Sequence, residues 1–419
     1  MQKRQGTKMP AHKSKIQHLS MMILVTLVLV SSLISESCFS TSERSPTNEN
    51  TLEVQLENIL KNVEEIRGLR RTEDITVKFL DKQGLKHKFT DEFLAIANKE
   101  DTYEQEILLK TLNLIGSDVN LFELLNSMYL QNILGYYDTE TREIYLIAES
   151  DVITPSIELT LAHEYVHALQ QQHFDIRTLT KDVQGRSENE IGLLSLVEGD
   201  AMQVELKYLD KYLNKKDRKT LLQNSGTETI DHNTPAILQK IMLFPYDKGL
   251  SLVTDILSKR SLSGLNESYN QPPTSTEQVI HPKKYFAKET APEIALPNLE
   301  IVLGQEWSIV HKEVLGEFFL QAYLELVTDK STAAIASSGW EGDQYQLLSD
   351  SEGNTLLVSL LRWESAKDTH EFHNALKKIN FLSNVNIRSD ISLSTDQVLL
   401  VVGSSEKTYE LIVQALEKF

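Results

Sequence analysis

The sequence predicts an α+β fold in two parts: a mainly helical body over residues 52–330 and a small α+β domain over 331–419. Three observations carry this. Apolar residues recur at helical spacing through most of the first part, as at Leu56, Ile59, Leu60 and Val63. One stretch there breaks the pattern, because "ILGYY" and "EIYLIA" are β-rich runs on either side of the turn-like "DTETR". After Ser331, short apolar strand-like runs alternate with short helical ones. With 419 residues, 41% of them apolar, the chain can bury two cores.

Residues 1–37 read as a signal peptide or membrane anchor. Lys3, Arg4, Lys8, Lys13 and Lys15 give a positive start, and Leu19–Ile34 is an apolar run interrupted only by Ser and Thr. Its dense centre, Met21–Val30, is short for a membrane span. Small residues at Ser35 and Ser37 suit cleavage before Cys38, the only cysteine, so no intrachain disulfide can form. A lone cysteine at that place resembles a bacterial lipoprotein attachment site, although Glu36 stands where such signals carry a small residue. Lipidation at Cys38, an uncleaved anchor and secretion after cleavage near Ser40 all remain open. Each places the protein in the cell envelope or outside it. Residues 38–51, with "STSERSPTNEN", read as a flexible tether. The formal charge is −18 and no basic stripe lies beyond the N-terminus, which leaves nucleic acid without an electrostatic footing as a partner.

The elements follow in order. Leu52–Arg71 and Lys88–Leu114 read as helices, and Tyr129–Ala148 as the hairpin. Thr154 caps and Pro155 opens a helix that runs to about Phe174. Polar Arg177–Ser187 reads as a loop, and Glu188–Asn214 as a second long helix striped by Leu193, Leu196, Val197 and Val204. Ala236–Ser261 is helical with a break near Pro245, Ser268–Pro282 is a Pro-bounded loop, and Val310–Thr328 is helical. In the last part, "DQYQLLSD" and "TLLVSLLRW" form a hairpin through "SEGN". A helix ("SAKDTHEFHNALKKI"), a strand ("QVLLVVG") and a final helix ("KTYELIVQALEKF") complete it.

The chemistry concentrates in Thr160–Phe174, "TLAHEYVHALQQQHF". On a helix, His163 and His167 lie one turn apart on one face, so both imidazoles can reach one tetrahedral zinc. Glu164 can then sit beside the fourth position, where water binds. Zinc acidifies that water and polarises a scissile carbonyl, while a carboxylate moves the proton. Leu159, Leu161, Ala162, Val166 and Leu169 make the helix largely buried, so its polar residues need partners.

A third ligand decides the class. Glu198 in "LVEGDA" is one candidate, with Glu188, Glu190 and Glu205 as acidic alternatives. His173 is the other, because His163, His167 and His173 have metzincin spacing. That pattern needs a Gly to turn the chain where this sequence has Gln170. A continued helix carries His173 about 240° around the axis, away from the metal. This favours Glu198.

A zinc helix followed by a helix bearing a glutamate resembles the gluzincin, or thermolysin-like, arrangement. "LAHEYVHALQQQHFD", "LVEGDA", "GYYDTETREIYL", "PPTSTEQVIHPKKY" and "GWEGDQY" are similar to segments of an exported, poorly characterised prokaryotic group of gluzincin-like proteins. The resemblance implies a zincin-type catalytic fold over 52–330 and zinc held by His163, His167 and Glu198, with Glu164 as general base. It departs where many gluzincins place an Asp four residues after the glutamate ligand, to orient a zinc-bound histidine. Met202 stands there, and Asp200 points to another helix face, leaving that partner unassigned.

Thermolysin-like sites hold polypeptide substrate along a sheet edge, and either Gly135–Asp138 or Ile144–Ile147 suits it. His281 and Tyr285 are candidate donors to the oxyanion, and Tyr165 is read as packing. Trp340, Glu341 and Asp343 read as a turn without a chemical role. Three functions stand side by side: a zinc-dependent peptidase of the gluzincin type, a metzincin-type peptidase using His173, and an inactive zincin-fold binding or assembly lipoprotein.

Overall fold

The computed structural model describes residues 51–85, 88, 99–224, 234–382, 387–390, 394–403 and 405–419. The signal peptide or anchor at 1–37, Cys38 and the tether up to residue 50 lie outside the described residues. No helix among the described residues is long and apolar enough to cross a membrane.

In chain order the elements are α1 (Leu52–Arg67), β1 (Thr76–Leu80), α2 (Lys99–Thr111), α3 (Leu121–Asn132), β2 (Gly135–Asp138), β3 (Glu143–Ile147), α4 (Pro155–Phe174), α5 (Ile176–Val183) and α6 (Ser187–Tyr212). Next come α7 (Lys215–Asn224), α8 (Ala236–Ser268), α9 (Thr276–Ile280), α10 (Pro282–Ala287), α11 (Leu299–Leu303), β4 (Trp307–Glu313), α12 (Gly316–Leu324) and α13 (Lys330–Ser337). The chain ends with β5 (Trp340–Asp350), β6 (Thr355–Trp363), α14 (Ala366–Leu382), β7 (Ile387–Asp390), β8 (Gln397–Val402) and α15 (Glu406–Leu416). The fold is α+β, mainly helical, with a small sheet early and a larger antiparallel sheet near the C-terminus.

The early sheet has the order β1-β3-β2. β2 and β3 form the expected hairpin, with Tyr136 opposite Tyr145, and β1 adds in parallel on the other side of β3. β3 is therefore central and β2 an edge. β1 is not legible as a strand on its own, because five residues (TVKFL) gain their pairing only from a strand more than sixty residues away. Helix α4 packs over this sheet at Gly135, where an added Cβ would lie 2.7 Å from Thr160 Cγ2.

Helices α4, α6 and α8 form the centre. α6 and α8 cross backbone to backbone: a Cβ at Gly199 would come within 2.2 Å of the Gly249 carbonyl, and one at Gly249 within 2.1 Å of the Ser195 carbonyl oxygen. Only two glycines facing each other permit that approach. α8 runs straight through Pro245, and its break falls at Ser261, which has φ 59° and ψ −170°. Packing of α8 on α6 outweighs the one hydrogen bond that Pro245 cannot donate. Much of the stretch 177–187, expected as loop, is helical, with residues 177–183 lying in α5, and the Pro-bounded stretch 268–282 contains α9.

The C-terminal sheet has the order β4-β5-β6-β8-β7, antiparallel throughout. Its first strand is Trp307–Glu313, where the sequence pattern suggested the start of a helix over 310–328. Helix forms only from Gly316 to Leu324. Pairing with β5, a non-local contact, decides the conformation of His311 and Lys312 against local helical spacing.

Candidate metal centre

Helix α4 begins where the sequence places it. Thr154 Oγ1 accepts a hydrogen bond from the Ile157 amide at 3.3 Å, and Pro155 sits in the first turn. It continues without interruption past Gln170 to Phe174 and ends at Asp175, whose φ of 50° is left-handed. His163 and His167 therefore share a face, with ring centroids 4.9 Å apart. From α6, Glu198 Oε2 lies 3.3 Å from His163 Nε2 and 3.6 Å from His167 Nε2. One donor atom from each of the three lies within 4.8 Å of the others. The Gly199–Gly249 crossing is the local reason Glu198 sits this deep in the fold.

The outer contacts are as specific as the inner ones. His163 Nδ1 is hydrogen-bonded to Glu205 Oε2 at 2.8 Å, and His167 Nδ1 to Gln170 Oε1 at 2.8 Å. The histidine partner that neither Met202 nor Asp200 supplies is thus Glu205. It lies seven residues, two helical turns, beyond Glu198 and on the same face of α6. Glu164 Oε2 accepts the Tyr137 amide at 2.9 Å, which ties it to edge strand β2. Its other oxygen, Oε1, is buried with no hydrogen-bond partner, and so is His167 Nε2. An orphaned buried imidazole nitrogen that converges with a second imidazole and a carboxylate oxygen is what a divalent cation needs and what a purely structural cluster would avoid.

Electrostatics sort the group. Burial opposes a charge on His163, yet the bonds from Glu198 and Glu205 outweigh it and pull its pKa up to about 10. Burial likewise opposes the Glu198 carboxylate, but His167 and His163 hold it down to about 2. Glu164 is pushed up to about 7, mainly by burial, into the range suited to proton transfer near neutrality. Tyr246 of α8 reaches the same cluster, its ring centroid 6.4 Å from that of His163. Burial first, then Glu198 and Glu164, raise its phenol pKa well above the ordinary value, so it stays a neutral hydroxyl.

The other sequence candidates lie elsewhere. His173 Nε2 is hydrogen-bonded to the Arg70 carbonyl at 2.7 Å, so the metzincin alternative loses its third ligand. His281, the candidate oxyanion donor, has its Nε2 paired with the buried carboxylate of Glu317 at 2.8 Å. The Tyr285 hydroxyl donates to the Gln271 carbonyl at 3.0 Å. Glu188 accepts from the Thr276 amide at 2.7 Å, and Glu190 from the Gly185 amide at 2.8 Å. Tyr165 is fully buried and donates to Glu64 Oε1 at 2.8 Å, joining α4 to α1. Asp343 accepts from the Leu315 and Gly316 amides at 2.8 and 3.0 Å and from Trp340 Nε1 at 2.9 Å, which caps α12. Glu341 pairs with Arg362 at 2.9 Å.

Sequence reasoning passed over Gln170 and Tyr246 as functional residues and held Glu205 only as an alternative metal ligand, not as the partner of His163. Glu205 carried a usable signal, its seven-residue spacing from Glu198. Tyr246 carried none, because its approach depends on the crossing of α6 and α8.

Comparison with known proteins adds little to this picture. A domain of unknown function (DUF8575) matches residues 307–408, which span the C-terminal sheet and none of the cluster residues. No curated protein matches the chain. The chain is similar to a structure from Chloroflexus aurantiacus described as "a putative hydrolase with a novel fold", at 14% identity. That alignment covers 58% of this chain and 92% of the other with a TM-score of 0.40, too distant a likeness to define a fold.

Proposed function

We propose that the chain is a zinc-dependent peptidase of gluzincin type that acts on polypeptides. The observation that carries this reading is the meeting of His163, His167 and Glu198 beside a buried carboxylate, Glu164, that has one oxygen unpaired. His163, His167 and Glu198 would hold the ion. A zinc ion held there supplies Lewis acidity, which makes water a stronger acid and a carbonyl a better electrophile.

The chain's own residues do the rest. Glu164, anchored through Oε2 to the Tyr137 amide, presents Oε1 to take the proton of the attacking water and return it to the leaving amine. Edge strand β2, not central β3, offers the backbone on which a substrate segment lies. That the same strand fixes Glu164 couples substrate register to the base. Tyr246 contributes a neutral hydroxyl at the cluster. Glu205 and Gln170 hold the two imidazoles with Nε2 forward.

The test is digestion of an unfolded casein-type substrate by purified protein with and without chelator, alongside Glu164→Gln. Chelator-sensitive hydrolysis that the variant loses while retaining zinc supports the proposal. Hydrolysis unchanged in the variant refutes it. We further propose export and tethering through Cys38, supported by the positive and apolar character of residues 1–37. Lipid labelling abolished by Cys38→Ala supports the tether, and equal labelling of the variant excludes it.

A further inference from the structure

Behind His167 lies a buried chain of polar groups that begins on a helix a hundred residues upstream. Arg67, in the last turn of α1, is 1% exposed, and its Nε lies 2.7 Å from Asp200 Oδ1 and 2.9 Å from Oδ2. The Tyr269 hydroxyl donates to Asp200 Oδ2 at 2.7 Å. Gln170, fully buried, places its side-chain nitrogen 2.9 Å from the Val197 carbonyl, 2.9 Å from the Tyr269 hydroxyl and 3.2 Å from Asp200 Oδ2. Its oxygen faces His167 Nδ1 at 2.8 Å.

The orientation of that amide is dictated. A backbone carbonyl and an aspartate carboxylate can only accept, so the –NH2 end of Gln170 must face them. The C=O end must then face His167. An amide oxygen only accepts, so His167 must carry its proton on Nδ1, and the lone pair of the neutral ring is on Nε2. The donors converge on Asp200: His167 donates to Gln170, Gln170 to Tyr269, and Tyr269 and Arg67, from opposite ends, to Asp200. A reversed amide would set its oxygen against the Val197 carbonyl and Asp200, two repulsive contacts in a buried setting.

We propose that Gln170 is a positioning residue that selects the Nδ1–H tautomer of His167, and that the Arg67–Asp200 pair with Tyr269 sets Gln170 in turn. The inference rests on the metal-centre reading above and deepens it, since α1 becomes part of the apparatus that prepares a ligand. The histidine is set for metal before metal arrives.

The experiment uses the full chain with 15N-labelled histidine, free of metal and at alkaline pH where the ring is neutral. The His167 tautomer is read by NMR, and zinc affinity is read by competition with a chromophoric chelator. Gln170→Met keeps length and volume but offers no amide oxygen. It is expected to mix the two tautomers and to weaken zinc binding about 10–100-fold. Gln170→Glu keeps an acceptor for Nδ1–H but sets a second carboxylate beside Asp200, so it should lower Tm yet keep the tautomer and lose much less affinity than Gln170→Met. Gln172→Ala, which removes contacts to Thr72 and Glu73 on the exposed side of α4, should leave both readouts unchanged. A wild-type tautomer in Gln170→Met overturns the proposal, as does an affinity loss that follows Tm across the two Gln170 variants. If wild-type protein binds no zinc, the metal-centre reading fails, while the tautomer measurement still decides this one.

Discussion

Helix α6 buries carboxylates at two levels, and they behave in opposite ways. Glu198 faces two imidazoles and is held down to about 2. Glu188, ten residues and about 15 Å earlier on the same helix, meets the Thr276 amide and hydroxyl and is pushed up to about 8, mainly by burial. Close by, Asp343 accepts only neutral donors and is raised to about 6 for the same reason. Gly316 fits between these groups with φ +78°, and a Cβ there would lie 2.0 Å from Glu188 Oε1. Burial alone does not mark a functional carboxylate. What distinguishes Glu198 is that its neighbours are two imidazoles, which carry positive charge to it when protonated and offer metal-binding nitrogens when neutral, whereas those of Glu188 are neutral donors already matched to it.

The strongest way to break this contrast is at the base. Glu164→Gln should lower casein hydrolysis by about 10²–10⁴-fold while zinc content stays at the wild-type level. Next comes the direct exchange between the two levels of α6. Glu198→Gln should weaken zinc binding by more than the about 10–100-fold expected of an outer partner, whereas Glu188→Gln should leave zinc and activity unchanged.

Glu188 should show itself in pH instead. Its folded pKa of about 8 stands above the ordinary 4.5, so its contribution to stability is full below about pH 4.5 and is lost as pH rises through 8. Thermal unfolding of wild type should therefore show a fall of roughly 2–4 kcal/mol between those limits that is missing in Glu188→Gln, read as the difference between the two proteins. Glu205→Gln should weaken zinc about 10–100-fold in a chelator competition, leaving the fold intact. Smallest is Gly199→Ala, which should cost about 1–3 kcal/mol in chemical denaturation by forcing α6 off α8.

The legible part of the molecule is local. The cap at Thr154, the proline at 155, the turn between β2 and β3 and the one-turn spacing of His163 and His167 are all set by residues within a few positions of each other. So is the continuation of α4 through Gln170, which correctly carries His173 away. Glu198 could be picked from several acids because a second helix was expected to follow. What was hidden is non-local. β1 and β4 become strands only by pairing with β3 and β5. His281 has the composition of a catalytic histidine and is claimed by Glu317, on a different helix. The chain from Arg67 to His167 joins α1, α4, α6 and α8, and no spacing in the sequence announces it. Trp340 and Asp343 drew notice as a motif, and their task is to cap α12.

Metal analysis of purified full chain, paired with casein digestion, tests the central claim most directly. The account predicts one zinc per chain, hydrolysis lost on chelation and regained on adding zinc back. A folded chain that takes up no zinc at saturating metal, or that digests casein equally well in chelator, would contradict it.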